Sequence, residues 1–167
     1  KSAHQFIEQE VRDKGIAFSI KPDSTDLEQI VEATGGSPLA MKLVIGQLRL
    51  LPIAPALTSL RNFKTKNTND EDENFALFQA IYLPSWNRLS HPARKLLFCV
   101  SLFSPNSGGD FEALTAISNI TVEVAQSCIR DLWRVSFLEI RQKQNGIEDK
   151  RYLLHTLTHY FVRSQQD

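Results

Sequence analysis

Between Ser2 and Lys14 the apolar residues Phe6, Ile7 and Val11 fall at helical spacing, and Gly15 follows as a stop. Ile16 to Ser24 carries no period and predicts an irregular stretch packed through Ile16, Phe18 and Ile20. Asp23-Ser24-Thr25-Asp26 offers an N-cap with acidic residues early in the next turn. Leu27, Ile30, Val31 and Ala33 then line one face of a helix that stops at Gly35-Gly36. Ser37 caps another helix, and Pro38 suits its first position, where a missing N–H costs nothing. Leu39 to Leu50 is apolar nearly all round, the pattern of a central buried helix. Pro52 ends it, and Pro55 to Leu60 predicts a short further helix.

Asn62 to Glu73 breaks the pattern: it is polar, rich in Asn and Asp, and reads as a linker. Phe75, Phe78, Ile81 and Tyr82 make a helical stripe in Phe75–Trp86, whose end Pro84 strains. Ser90 caps a strongly apolar helix through Phe103, and Ser104 to Gly109 is a loop. Asp110 caps Phe111–Ser118, and Thr121 caps Val122–Val135. Phe137–Arg141 and Arg151–Leu154 read as two strands joined by a turn, with a last helix over His155–Ser164. Three helices, a hairpin and a helix are the order of a winged-helix domain. The expected fold is mainly α: a helical domain over 1–61, a linker over 62–73 and a winged-helix domain over 74–167.

Composition narrows the function. Of 167 residues, 42% are hydrophobic, enough for a core, so wholesale disorder is excluded. Lys and Arg number 19, as do Asp and Glu, so the basic excess of a protein held to phosphate backbones is absent. The two cysteines, Cys99 and Cys128, sit in apolar helical patterns, which excludes a disulfide framework and fits a reducing, cytoplasmic compartment. No run of about 18 apolar residues is present to span a membrane as a helix. The chain begins at Lys1, not Met, which predicts a piece of a longer protein.

Candidate chemistry is sparse. No G-x-x-x-x-G-K-[ST] loop, magnesium carboxylate motif or G-x-S-x-G nucleophile turn occurs, so these residues alone are not expected to be an enzyme. His155 and His159 have the one-turn spacing of zinc ligands, but Thr-Leu-Thr separates them and two ligands do not complete a tetrahedral site; no metal is expected. Thr121–Val135 stands where a winged helix reads DNA. Its Arg130 and Arg134 are offset by Glu123 and Asp131, which argues against DNA, although Arg141, Lys143, Lys150 and Arg151 put base on the hairpin. Gly35-Gly36-Ser37-Pro38-Leu39-Ala40 suits a plain helix–turn–helix corner, and equally a fixed apolar edge against a flat ligand such as adenine.

That last segment, with the helix Met41 to Leu48, resembles the G-x-P-L-A segment in the helical domain of NB-ARC, or STAND-class, signalling ATPases. Ser85 to Leu89 and Ala93 to Phe103 resemble the opening of that family's winged-helix domain. Leu132 to Leu138 and Tyr152 to Leu157 resemble its end, with His155 at the family's histidine position. The resemblance implies an upstream nucleotide-binding domain carrying the phosphate loop and magnesium. These residues would close over ADP, with Pro38 on the adenine and His155 donating to the β-phosphate. Exchange for ATP would open this molecular switch and permit self-oligomerisation in signal transduction. The plant pattern has Met and Asp flanking the histidine; Leu154 and Thr156 stand there instead, which removes a carboxylate that would orient the ring. The rival expectations are a winged-helix DNA-binding transcription regulator and a helical protein-interaction module.

Overall fold

The computed structural model describes residues 2–16, 25–49, 51–64, 70–142 and 150–166, with 59–64 and 70–77 as helical backbone alone. The chain divides into two compact units, residues 1–87 and 88–167. The first unit holds α1 (Ala3–Asp13), α2 (Thr25–Thr34), α3 (Pro38–Gln47), α4 (Ile53–Lys64) and α5, which begins at Asp70 and ends at Arg88. Helix α1 starts in a capping box: the Gln5 amide donates to the Ser2 hydroxyl, and the Ser2 amide donates to the Gln5 side chain. It ends by turning left-handed at Gly15, φ +65°, so that the Gly15 amide donates to the Arg12 carbonyl and the Ile16 amide to Val11. That paired closure tucks Ile16 into the core, fully buried beside Ile7.

Helix α2 closes the same way. Gly35 donates to Glu32 and Gly36 to Val31, both glycines at positive φ, and Thr34 back-bonds to Ile30. The chain then re-enters a helix at once through the Ser37 cap. Met41, Leu43, Val44 and Ile45 of α3 are all buried, which makes it the central helix its composition predicts. Helix α3 packs on α1 and α2, and α2 also packs on α4. The buried Gln47 side chain donates to the Ile81 carbonyl, tying α3 to α5.

The second unit is built round α6 (His91–Ser101), which touches α7 (Phe111–Ser118), α8 (Val122–Arg134), α9 (Thr156–Ser164) and strand β2 (Lys150–Leu153). Leu96 and Leu97 of α6 are completely buried, and side chains of that size stabilise by about 1.5–3 kcal/mol each when fully buried. Strand β1 (Glu139–Gln142) pairs antiparallel with β2, placing Ile140 opposite Tyr152 and Arg141 opposite Arg151. A third piece joins the sheet. Gly109 and Tyr152 exchange both backbone hydrogen bonds, at 3.1 and 2.9 Å, so the loop before α7 flanks β2. Phe137 stacks on Phe161 of α9 with centroids 6.4 Å apart, anchoring the last helix. The molecule is thus mainly helical, with the helix–helix–helix–hairpin–helix order of a winged-helix domain in its second unit.

Several boundaries differ from the sequence reading. Helix α4 reaches Lys64 and α5 begins at Asp70, so 62–64 and 70–73 of the expected linker are helical, while 65–69 lie outside the described residues. Pro84 lies inside α5, and the units part at 87/88, so the Phe75–Trp86 stripe belongs with the first unit. Strand β1 starts at Glu139 rather than Phe137, because the Phe137 and Leu138 amides both still donate to Leu132, closing α8. The expected packing of Phe18 and Ile20, the N-cap expected at Asp23-Ser24 and the hairpin turn at 143–149 lie outside the described residues.

Candidate functional site

Pro38 occupies the first turn of α3 and is exposed. Its position follows from its neighbours. The left-handed pair Gly35-Gly36 reverses the chain, the Ser37 hydroxyl accepts from the Ala40 amide at 3.4 Å, and the ring's fixed φ suits a first helical turn. Behind it, Ala40 and Met41 are buried, so the ring is presented by a helix whose opposite face is fixed in the core. A Cβ at Gly35 or Gly36 meets nothing within 4 Å; these glycines serve the turn's conformation, not a close approach.

His155 is also exposed, and it caps α9 from outside the helix, at φ −58° and ψ 147°. Its Nδ1 accepts from the Leu157 amide at 3.2 Å. An amide can only donate, so Nδ1 is unprotonated there and the neutral ring carries its proton on Nε2. The exposed edge of His155 is therefore a hydrogen-bond donor held at a helix N-terminus, where anions are favoured. The orienting job that a following carboxylate would do is done here by a backbone amide.

His159 serves a different purpose. Its Nε2 donates to the Ser101 carbonyl at 2.8 Å, joining α9 to the end of α6. The two rings thus make separate bonds. Among the described residues no group of three or more His, Cys, Asp or Glu is placed to hold a metal ion.

The face of α8 that would read DNA exposes Thr121, Val122, Glu123, Val124, Gln126, Ser127, Arg130 and Asp131, with Arg134 half-buried. Its N-terminal turn, the part that reaches base edges in helix-turn-helix readers, carries two valines and a glutamate and no base. Among the described residues no helix is long and apolar enough to cross a membrane.

Two features escaped sequence reasoning. Lys14 is buried at the end of α1, and its carbonyl accepts from Arg49 Nε and Nη2 at 3.1 and 2.6 Å. Burial is the main cause that brings its pKa down to about 8, with the Lys42 and Arg49 charges adding to it against Glu10 and Asp13. The loop Ser104–Gly109, a plain turn by sequence, is instead fitted against β2. A Cβ on Gly109 would stand 2.7 Å from the Phe103 ring, and one on Gly108 would strike the Tyr152 carbonyl. The paired glycines were the legible signal; their distant partner was not.

No model of a known protein family matches this chain, and no curated protein matches it significantly.

Proposed function

We propose that these residues are the regulatory, nucleotide-sensing part of a STAND or NB-ARC type signal-transduction ATPase, closing over ADP at rest and opening on exchange for ATP. The observation that carries the reading is the state of His155: exposed, fixed by the Leu157 amide, with its donor edge outward at a helix N-terminus. A phosphate oxygen is the acceptor such a group suits, since a hydrogen bond to an anion is roughly twice as strong as a neutral one. Pro38 adds an exposed, conformationally fixed apolar edge of the kind a purine face can rest on. The phosphate loop and magnesium belong, in this reading, to an upstream domain of a cytoplasmic parent chain. The residues here therefore lock, sense and release; they do not hydrolyse. A donor that meets only one nucleotide state biases the closed–open equilibrium by its differential affinity.

The test is His155→Ala in the parent chain, with the co-purified nucleotide quantified. Loss of one charge-assisted bond weakens ADP retention about tenfold or more, by the ~1.5–3 kcal/mol such bonds contribute. Unchanged retention would remove the assigned role. A second reading, a helical interaction module, is favoured by the exposed Ile117, Val122 and Val124 at the α7–α8 end. Changing these three to Ser would abolish partner capture and leave ADP retention intact if that reading held.

A further inference from the structure

A cleft of about 440 Å³ opens in the second unit, lined by Asn106, Ser107, Arg141, Gln142, Arg151 and Leu153. Its geometry follows from the sheet. Arg141 and Arg151 are directly opposed in the β1–β2 register, so both side chains leave the same face, and Leu153 lies two residues on from Arg151 on that face. The Gly109–Tyr152 bridge brings the preceding loop alongside β2, which adds Asn106 and Ser107 as a polar wall. The loop is held in shape, with the Ser107 and Gly108 amides both donating to the Ser104 carbonyl.

Like charges facing each other across an antiparallel pair are destabilising. Neighbouring carboxylates answer that at long range, Arg141 meeting Glu139 at 3.5 Å and Arg151, among its contacts, meeting Asp110 at 3.8 Å; the other oxygen of Asp110 caps α7 at 2.7 Å. Long, partly exposed ion pairs of this kind contribute little and compete weakly with a better anion. A guanidinium pair on one wall, hydroxyl and amide donors on the other, and an apolar floor match a phosphate carried on a small polar body. Arginine is suited to this because its planar fork grips phosphate oxygens in pairs. The volume lies in the range of small-molecule sites, roughly 300–1,000 Å³, and exceeds what a bare oxyanion needs.

We propose that this cleft binds a small phosphate monoester, with Arg141 and Arg151 on the phosphate and Asn106 and Ser107 on the hydroxyl-bearing remainder. Nothing in the proposal depends on the adenine–histidine reading. A duplex nucleic acid fits less well, because the exposed face of α8 carries Glu123 and Asp131 against its arginines.

The test uses the whole chain, with amide chemical shifts followed while glycerol phosphate, inorganic phosphate, a phosphoserine peptide and duplex DNA are added separately. Glycerol phosphate is expected to bind in the millimolar range or tighter and to shift the amides of Asn106, Ser107, Arg141 and Arg151. Arg141→Gln and Arg151→Gln should each weaken it about tenfold, and Ser107→Ala several-fold, while the melting temperature of the exposed-site variant Arg141→Gln stays put. Three outcomes would overturn the proposal: no shifts at these amides with any phosphate, binding that survives the double arginine change, or response to DNA or the peptide without response to glycerol phosphate.

Discussion

Ser136→Gly is expected to stabilise the second unit, against the ordinary rule that glycine loosens a chain. Ser136 follows the end of α8 with φ +64°, in the left-handed region that a Cβ disfavours. The position is forced by the helix ending: the Ser136 amide donates to Trp133 and the Phe137 amide to Leu132, the same paired closure that glycines provide after α1 and α2. The Ser136 residue is buried, and its hydroxyl has no hydrogen-bond partner among the described residues. Relief of the left-handed strain is worth about 1 kcal/mol. Removal of an unanswered buried hydroxyl is worth roughly another 1 kcal/mol, at the low end of such penalties. Against these stands about 0.5–1 kcal/mol for the added freedom of glycine in the unfolded chain. The net is about 1 kcal/mol of stabilisation, which for a unit of this size raises the melting temperature by about 4–8 °C. Differential scanning calorimetry of the whole chain reads it. Ser136→Ala isolates the hydroxyl, since it deletes that group, keeps the strain and adds no glycine freedom; it should gain about 1 kcal/mol from that cause alone. A lower melting temperature for Ser136→Gly would show that the hydroxyl is satisfied or that its packing outweighs the backbone, and the reasoning would fail.

Other substitutions probe the remaining features. Lys14 has its folded-state pKa lowered from 10.5 to about 8, so the folded first unit resists the proton that the unfolded chain accepts. Below about 8 both states are protonated and the penalty is complete; stability then rises as pH climbs from about 8 towards 10.5, where both become neutral. Lys14→Met should remove that slope from urea titrations across this pH window and stabilise at neutral pH by roughly 1–2 kcal/mol, the shift being discounted for screening. Gly109→Val would drive a side chain into the Phe103 ring and break the loop away from β2; hydrogen exchange at the Tyr152 amide should accelerate by orders of magnitude, whereas unchanged protection would mean the bridge does not hold the loop.

Local chemistry was well recorded along the chain, and distant partnership was not. The caps at Ser37, Ser90, Asp110 and Thr121 all act where Ser, Thr or Asp before an apolar period places them. Each is settled within four residues, which is why sequence suffices. The left-handed Ser136 is the counterexample: serine gives no signal for that conformation, and only the tertiary demand to turn Phe137 inward imposes it. The Gly109–Tyr152 bridge and the seating of Lys14 under Arg49 join residues dozens of positions apart, which no periodicity encodes. At the candidate site, the placement of Pro38 in its helical turn was legible from Gly-Gly-Ser-Pro. The proton placement on His155 was not, because it depends on which ring nitrogen the Leu157 amide meets.

Cys99 on α6 and Cys128 on α8 are both buried in the second unit, and burial pushes both thiols upward, with Asp131 adding to the effect at Cys128. An alkylating reagent needs an accessible thiolate and finds neither in the folded state. The first unit holds no cysteine at all. The chain therefore carries its own clock: with reagent in excess under native conditions, the rate at which mass is added counts the openings of residues 88–167 and ignores those of the rest. Half of the molecule can be timed in the presence of the other half, with no label introduced and no residue changed.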